Sequence, residues 1–403
     1  MTLAWMVRNS LRQHALSTSV TALSIALASG LLMAVWVVTD QSASAFTGFS
    51  GGFDAVLGAR GSKLQLVLNA VFHLEESPGN ISWQDYLDVR KNPNVELAVP
   101  LALGDNFRGY RVVGTLPDLF EKSEYASGAK FRVQPGGRMF DLNLREVLVG
   151  SLAAERLKLR PGDRIRPYHG LNFDEKKQHD EIYLVVGLLE PSNTPADRVL
   201  WIPLEGVQKM SGHDPKAASD ISGVLVKIKS GAASAGFLLD LMYNKQGNRL
   251  TFAWPIGRVM AQLFDKIGWF DKVLALVAYL VAVVAAASIL ASLYSSMNER
   301  RREVAILRAL GARRGTIFSA IMLESAAIAG IGAVAGFLVY YVILAGAAAV
   351  IRAQVGVILS PNSPHPVMIW APVVMVLMGA AAGIIPAAKA YKTDVAENLM
   401  PHS

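Results

Sequence analysis

Four long apolar runs constrain this chain more than any other feature of its sequence. Three of them, at 16–39, 273–298 and 367–388, contain no charged residue, and the fourth, at 315–351, contains only Glu324. A helix that crosses a bilayer needs about 20 consecutive apolar residues, because lipid does not solvate polar or charged groups. The runs therefore predict a membrane protein with four transmembrane α-helices. The run at 315–351, which is the third along the chain, is longer than one straight crossing needs, so we expect its ends to leave the bilayer.

The first run has a competing interpretation as a signal peptide. Arg8 and Arg12 precede it, and Ala43-Ser44-Ala45 after it resembles a signal-peptidase site. However, the run is longer than the apolar core of an ordinary signal peptide, and three further runs follow it. Both facts favour a transmembrane helix.

Basic residues beside the runs predict the orientation in the membrane, because Lys and Arg in short flanks stay on the cytoplasmic side. They lie at the N-terminus, between the second and third spans, and in the C-terminal tail: Arg8, Arg12, Arg300, Arg301, Arg302, Arg308, Arg313, Arg314, Lys389 and Lys392. The connection at 352–366 carries only Arg352. We therefore predict a multi-pass protein of the bacterial inner (plasma) membrane, with cytoplasmic N- and C-termini and a large periplasmic domain. The net charge is +7. Because the arginines cluster beside the apolar runs, we attribute this positive charge to membrane orientation and expect no nucleic-acid partner.

The segment between the first two spans is long enough to form a folded domain. Short β-prone runs, helical patterns and turn signals alternate along it. Strands are predicted at 111–114, 146–149, 182–189, 199–202 and 224–228, and helices at 82–91, 151–157, 204–210 and 232–243. Ser82, with Asp85 three residues later, predicts the N-terminal cap of the first of these helices. The predicted fold class is thus a membrane protein with four transmembrane α-helices plus a large extracytoplasmic α+β domain inserted between spans 1 and 2. The predicted domain boundaries are 1–40, 41–271 and 272–403.

Candidate catalytic and metal-binding residues in the inserted domain form no familiar pattern. Gly58-Ala-Arg-Gly-Ser-Lys63 invites comparison with a phosphate-binding loop, but its spacing is wrong and we expect no apolar strand before it. We interpret the glycine-rich stretch at 46–63 as a flexible loop, and His73, His169 and His213 as surface or structural residues. The chain has no cysteine, which excludes disulfides and thiolate metal ligands. We expect no enzymatic activity, no bound cofactor and no metal.

The connection at 298–314 is strongly basic and predicts a short amphipathic helix. Its apolar side carries Val304, Ile306, Leu307, Leu310 and Gly311, and its basic side carries Arg301, Arg302 and Arg308. Such a helix suits the membrane surface or a groove in a partner protein. Glu299 and Glu303 fall on the apolar side, where a carboxylate needs a cation. Gly311 predicts a left-handed C-terminal cap. The alternative is that the arginines face lipid and serve only as an orientation signal.

Glu324 is the one ionisable residue inside the four runs. An ionisable group in a transmembrane segment is costly and indicates a function. Because Glu324 lies near the predicted cytoplasmic end of its run, we predict that it braces the helix against Arg313, Arg314 or a neighbouring span. A secondary transporter is disfavoured, since four spans carry only this one such group.

Small residues recur at four-residue intervals in three of the runs. They are Ala22, Ala26 and Gly30 in the first, Gly332 and Gly336 in the third along the chain, and Gly379 and Gly383 in the last. Small side chains let helix backbones approach closely. The stripes predict helix packing, either within one subunit or between the subunits of a homodimer or heterodimer.

Four segments of the chain resemble a known family. The basic connection reads Glu299-Arg-Arg-Arg-Glu-Val-Ala-Ile-Leu-Arg-Ala-Leu-Gly-Ala-Arg-Arg-Gly-Thr-Ile317, followed by Leu323-Glu-Ser. The C-terminal segment reads Pro386-Ala-Ala-Lys-Ala-Tyr-Lys-Thr-Asp-Val-Ala-Glu-Asn-Leu399. Both resemble motifs of the FtsX-like, MacB-like permeases of ABC transporters. The segments 146–163 and 185–205 are similar to the periplasmic core domain of that family.

The resemblance implies a transmembrane subunit that passes no substrate between its own spans. In such systems an ATPase dimerises on ATP and moves cytoplasmic coupling elements, and long helices transmit that motion to the periplasmic domains (mechanotransmission). The residues that would contact the ATPase are Glu303, Ile306, Leu307, Arg308, Leu310, Gly311, Ala312 and Arg313. The client would be exported, extracted or released at the outer face of the inner membrane. A periplasmic adaptor, an outer-membrane channel and membrane lipid are possible further partners.

One departure from the family concerns the ATPase. MacB carries its ATPase in the same polypeptide, whereas only residues 1–15 precede the first run here and no phosphate-binding loop is recognisable. We therefore expect ATP and Mg to be bound by a separate ATPase subunit. Two alternatives remain open at this point: an FtsX-like regulator that activates a periplasmic cell-wall enzyme, and a membrane receptor or scaffold without an ATPase.

Overall fold

The chain folds into two compact units, of which the computed structural model describes residues 3–212, 219–229, 233–299, 305–306, 308–360 and 363–392. The helical unit comprises Met1–Gln41, Ile267–Ala349 and Leu359–Ser403, and the β-rich unit comprises Ser42–Lys266 and Val350–Ile358. The predicted insertion of an α+β domain between the first two spans is therefore confirmed.

The described helices and strands alternate irregularly along the chain. The helices are α1 (Leu3–Gln13), α2 (Ala15–Gly48), α3 (Lys63–Ala70), α4 (Trp83–Arg90), α5 (Asp118–Glu121), α6 (Ser151–Leu157), α7 (Leu204–Gln208), α8 (Ala233–Asp240), α9 (Ile256–Glu299), α10 (Arg314–Val355), α11 (Val367–Ala382) and α12 (Ile384–Lys392). The strands are β1 (Ala55–Ala59), β2 (Val95–Phe107), β3 (Tyr110–Thr115), β4 (Glu146–Val149), β5 (Arg164–Ile165), β6 (Tyr168–His169), β7 (Tyr183–Leu188), β8 (Leu200–Pro203), β9 (Gly223–Ile228) and β10 (Leu250–Ala253).

Four helical segments among the described residues are long and apolar enough to cross a membrane. They are Ala15–Gly48, Ile256–Ser295, Arg314–Val355 and Val367–Lys389. The core of the helical unit is made of apolar side chains from α2, α9, α10 and α11, such as Ile25, Ile289, Ala329 and Met375. Three of these helices, α2, α9 and α10, also contribute residues to the β-rich unit.

The β-rich unit is organised around one mixed sheet. Its strand order is β10-β1-β9-β2-β3-β8-β4-β7-β5, and β6 pairs with β2 outside that path. The pairs β3–β8 and β4–β7 are parallel, and the others are antiparallel. Neighbouring residues of a strand enter different apolar clusters, for example Val56 in one and Leu57 in the other. Because successive strand side chains point to opposite faces, each face of the sheet carries its own core.

The sequence-based elements of the inserted domain agree with the structure. Each predicted strand and helix overlaps an observed one, usually within two residues. Ser82 and Asp85 form the predicted cap, with Ser82 Oγ accepting from Asp85 N at 3.3 Å and Asp85 Oδ2 accepting from Ser82 N at 2.9 Å. Arg249 also donates to both carboxylate oxygens of Asp85. Burial opposes ionisation of Asp85, but the hydrogen bonds from Arg249 and Ser82 outweigh it and lower the pKa of the carboxyl group.

The interpretation of 46–63 as a flexible loop is wrong. Helix α2 continues to Gly48, and β1 then lies between β10 and β9 in the sheet, with Val56 and Leu57 fully buried. An apolar strand thus does precede Gly58-Ala-Arg-Gly-Ser-Lys63, which runs from the end of β1 into α3. Lys63 forms an ion pair with Asp240 at 2.6 Å, so its charge is used within the fold. The glycines misled the sequence analysis because they lower strand propensity, whereas pairing on both sides stabilises β1.

Candidate functional site

The segment predicted to contact an ATPase contains an exposed apolar helical turn. Leu310 N donates to Ile306 O and Gly311 N donates to Arg308 O, each at 3.0 Å. Leu310 is 80% exposed and Ile306 is 43% exposed. Gly311 has φ +94°, a left-handed conformation that costs little only for glycine, so it ends the turn as predicted. Among the other residues assigned to this contact, Glu303 and Leu307 lie outside the described residues.

A new helix begins immediately after that turn and is packed against the end of the chain. Helix α10 begins at Arg314, two residues after Ala312. In its first turn, Thr316 N donates to Arg313 O at 3.0 Å. Ile317 and Ile321 of α10 pack with Ala387 of α12. The start of α10 is therefore held by apolar contact, whereas the preceding turn presents its leucine to solvent.

Cation–π contacts add to this packing. The guanidinium carbon of Arg314 lies 5.6 Å from the ring centroid of Tyr391, and Lys389 Nζ lies 3.7 Å from that of Tyr294. An ammonium or guanidinium group at such distances is attracted by the aromatic face. The basic residues counted as orientation signals thus also connect α10 with α12 and α12 with α9.

Glu324 is buried and accepts a hydrogen bond from Ser10 Oγ of α1. The sequence suggested Arg313, Arg314 or a neighbouring span as partners, and the structure adds the helix that precedes the first span. A serine hydroxyl gives no charge signal, so sequence reasoning could not select Ser10. The contact joins α1 to α10, two elements that are far apart in the sequence.

The small-residue stripes bring helix backbones together within this one chain. A Cβ atom added to Gly332 would lie 2.7 Å from Ala22 O, and one added to Gly30 would lie 2.6 Å from Gly336 O. Ala26, on the same face of α2, is buried as well. Helices α2 and α10 therefore approach too closely for a larger residue at these positions.

The second pair of glycines serves the contact between α10 and α11. A Cβ atom added to Gly379 would overlap Ala329, and one added to Gly383 would overlap Ser325. Both neighbours lie on α10. Gly379 and Gly383 thus pack against another helix of the same chain.

The segment that follows the third span is attached to the β-rich unit by a polar clasp. Asp197 accepts hydrogen bonds from Ser192 N at 3.0 Å and from Asn193 N at 2.9 Å. Asn193 Oδ1 in turn accepts from Ile358 N. Ser192, Asn193 and Asp197 belong to the segment 185–205 that carries the family resemblance. The motif therefore shapes a loop that binds the chain just beyond α10.

Two further contacts hold the same segment. Arg352 Nη2 lies 3.0 Å from Glu155 Oε2. Gly356, with φ +87°, lies so close to Thr194 that an added Cβ would be 3.0 Å from its carbonyl oxygen. The last residues of α10 and the chain after it are thus part of the β-rich unit.

A cavity of about 450 Å³ lies beside this clasp, with the buried His73 and two arginines in its lining. Arg111 Nε donates to His73 O at 3.1 Å, and Arg198 and Gln354 complete this side of the lining. Burial and the positive charges of Arg111 and Arg198 lower the pKa of His73 to about 3. Burial also lowers the pKa of both arginines. His73 is thus a neutral core residue, which agrees with its interpretation as structural.

Sequence reasoning missed one cluster of potential ligands. Asp105, His169 and His179 offer three ligand atoms that lie within 4.8 Å of one another. The first two residues are paired across β2 and β6, and His179 follows in a loop. Their separation in the chain hid them, because short spacing motifs find only ligands of one element. His213, the remaining histidine singled out from the sequence, lies outside the described residues.

Comparisons with known proteins identify the family of both parts of the chain. Residues 18–237 match the model of the MacB-like periplasmic core domain, and residues 275–395 match that of the FtsX-like permease C-terminal region. The macrolide export ATP-binding/permease protein MacB of Bordetella avium (strain 197N) is 24% identical over 223 residues, which cover 53% of this chain and 33% of that protein. The corresponding protein of Vibrio parahaemolyticus serotype O3:K6 (strain RIMD 2210633) is 24% identical over 203 residues, covering 50% and 30%. The chain thus spans about a third of the length of these relatives.

Two solved structures resemble about half of the chain. One is the periplasmic region of MacB from Actinobacillus actinomycetemcomitans, with 12% identity, a TM-score of 0.37, and coverage of 53% of this chain and 94% of that one. The other is the extracellular domain of the noncanonic ABC-type transporter YknZ from Gram-positive bacteria, with 18% identity, a TM-score of 0.30, and coverage of 49% and 99%.

Proposed function

Because this chain belongs to the FtsX-like, MacB-like family of ABC transporter permeases, we propose that it couples ATP hydrolysis in a separate ATPase to movement of its β-rich unit. It lies in the inner membrane with both termini cytoplasmic and the β-rich unit periplasmic. It functions as a dimer, and its movement exports, extracts or releases a client at the outer face of the membrane. The observation that carries this proposal is the exposed turn at Ile306 and Leu310, directly before α10.

The exposed turn has the chemistry of a docking site for a soluble protein. Leu310 projects a large apolar side chain, and Arg308, Arg313 and Arg314 surround it with positive charge in the sequence. Burying one exposed leucine in a protein groove contributes about 1.5–3 kcal/mol. Protein interfaces commonly combine such an apolar centre with a charged rim. An ATPase groove that takes Leu310 would therefore grip the chain where α10 begins.

Helix α10 provides the path for transmission. It runs without interruption from Arg314 to Val355, and its last residues belong to the β-rich unit. There Arg352 and the backbone at Ile358 are held by Glu155 and by Asn193 of the clasp. A continuous hydrogen-bonded helix resists compression, so a displacement applied at its start is delivered to its end. Helices α2 and α9 likewise continue into residues of the β-rich unit.

We expect Leu310→Asp to separate the chain from its ATPase while leaving the fold intact. An unpaired carboxylate placed in an apolar contact costs about 3 kcal/mol, which corresponds to about a 100-fold loss of affinity. The measurement is the ATP hydrolysis that copurifies with the chain from native membranes, with the ATPase identified by mass spectrometry.

Leu144→Asp is the matched control for this variant. Leu144 is also an exposed leucine, but it belongs to the β-rich unit. The Leu144→Asp variant should copurify with ATPase at the wild-type level. Both Leu144→Asp and Leu310→Asp should keep the wild-type unfolding temperature. If Leu310→Asp retained full ATPase association and activity, the turn would not be the docking site.

The proposed orientation is tested separately by cysteine labelling. The natural chain has no cysteine, so a single introduced thiol reports without background. We expect Leu310→Cys to resist a membrane-impermeant maleimide on spheroplasts and to react after lysis. Asn143→Cys, at an exposed position of the β-rich unit, should react without lysis. The reverse labelling pattern would show that the turn faces the periplasm, where a cytoplasmic ATPase could not bind it.

A further inference from the structure

We propose that Asp105, His169 and His179 form a binding site for a divalent first-row transition metal ion, with Zn²⁺ as the ion that best matches it. The three residues lie within the β-rich unit, and no feature of the proposed ATPase coupling depends on them. The site would join the β2–β6 pair to the loop that carries His179.

The ligand atoms converge on one point. His179 Nε2 lies 3.1 Å from Asp105 Oδ1, and His169 Nδ1 lies 3.5 Å from the same oxygen. Zinc binds nitrogen and oxygen ligands at about 2.0–2.2 Å, so two ligands of a tetrahedral ion are about 3.3–3.5 Å apart. The observed separations need only small side-chain adjustments to admit an ion.

The hydrogen bond on the far side of His179 fixes the ring in the form that binds metal. His179 Nδ1 lies 2.6 Å from Ser211 O, and because a carbonyl oxygen only accepts, Nδ1 carries the proton. Nε2, the remaining ring nitrogen, then faces Asp105 Oδ1 at 3.1 Å. Either a proton on Nε2 or a cation bound between the two atoms makes this contact favourable. A backbone carbonyl behind a ligand histidine is a usual arrangement in metal sites.

The surrounding residues hold the ligands without help from a metal. Glu181 accepts from Ser211 N at 3.0 Å and from Ser211 Oγ at 2.9 Å, which positions the carbonyl behind His179. Asn106 Nδ2 donates to Gly170 O at 2.8 Å, directly after His169. Preformed ligands reduce the ordering cost of binding.

The ligand types select the class of ion. Two imidazoles and one carboxylate suit zinc and its neighbours in the first transition row, whereas calcium and magnesium prefer oxygen ligands alone. Asp105 is fully buried, but the side chain of His169 is 49% exposed. Three protein ligands and an accessible side leave a fourth position for water or for a group from a partner.

The experiment uses the full-length protein in detergent, carrying an affinity tag without histidine and stripped of metal by a chelator. Titration with ZnCl₂ should show one site per chain, and zinc should raise the unfolding temperature. X-ray absorption at the zinc edge should show only nitrogen and oxygen ligands at about 2.0 Å. Magnesium at the same concentrations should produce neither effect.

His169→Ala is the decisive variant because His169 is half exposed and its substitution leaves the core untouched. It should weaken zinc binding by at least about 100-fold, more than the loss of an outer hydrogen-bond partner usually causes. His365→Ala, a histidine of the helical unit, should bind zinc as the wild type does. The unfolding temperatures of the metal-free variants, compared with that of the metal-free wild type, verify that both variants fold. Equal zinc affinity in His169→Ala and wild type, or no stoichiometric binding at all, would show that the cluster is an ion pair of protonated histidines with Asp105.

Discussion

Gly332→Leu is expected to prevent the helical unit from assembling. A Cβ atom at this position would lie 2.6 Å from Ile25 Cβ and 2.7 Å from Ala22 O, so α2 and α10 would have to separate along their contact. Overpacking a close-packed core costs about 1–3 kcal/mol when side chains can yield, and more when the obstacle is backbone. Close backbone approach is also a main source of helix association in lipid, where the hydrophobic effect does not drive it. The measurement is the fraction of protein recovered as a monodisperse species in mild detergent.

Gly330 provides a control on the same helix. No atom lies within 4 Å of a Cβ added there, in contrast to Gly332 two residues later. Gly330→Ala should therefore be neutral or slightly stabilising, since alanine favours a helix over glycine by about 1 kcal/mol. Gly332→Ala should be destabilising, so the two substitutions have opposite signs. Equal behaviour of the pair would contradict a contact between α2 and α10 at this position.

Periodicity and composition were sufficient for those parts of the fold whose signal is local. The strands at 146–149 and 224–228 and the helix capped by Ser82 depend on patterns within about ten residues, and each of the four spans depends on one contiguous apolar run. Strand β1 was missed because its stability comes from β9 and β10, which are far away in the chain. Local propensity cannot report such pairing.

The candidate sites divide in the same way. The exposed turn at Leu310 follows from helical spacing, and Gly311 from its place after the last apolar residue. By contrast, Glu324 accepts a hydrogen bond from a hydroxyl on another helix, and the proposed ligands Asp105 and His179 meet only after the sheet forms. A buried polar contact between distant residues leaves no periodic trace in a sequence. These sites require the tertiary structure.

The β-rich unit is expected to lose stability steeply as the pH falls from about 6.5 to 4.5, chiefly because of His73. Its pKa is about 3 in the folded protein and 6.5 as the ordinary value, so the unfolded chain binds a proton over this interval and the folded chain does not. The stabilisation is complete above pH 6.5 and declines as the pH falls toward the folded pKa. Each pH unit costs up to about 1.4 kcal/mol, which gives about 2–3 kcal/mol at pH 4.5.

This pH interval isolates the histidine from the carboxylates. Hydrogen bonds from Arg138 lower the pKa of Glu146, whose ordinary value is 4.5. The contribution of such a carboxylate to stability is lost only as the pH falls through and below its ordinary pKa, toward the lower folded value. Acid effects between pH 6.5 and 4.5 therefore come mainly from buried neutral histidine.

His73→Asn tests the assignment because asparagine does not titrate and tolerates the left-handed backbone at this position, where φ is +56°. The variant should be less stable than wild type at pH 7, since it loses the ring contact with Trp201. Its stability should nevertheless change little between pH 6.5 and 4.5, measured by urea unfolding and by hydrogen exchange of β3 and β8. His365→Asn should retain the wild-type slope. A steep slope that persists in His73→Asn would mean that another group governs the acid response, and that His73 is not held neutral between Arg111 and Arg198.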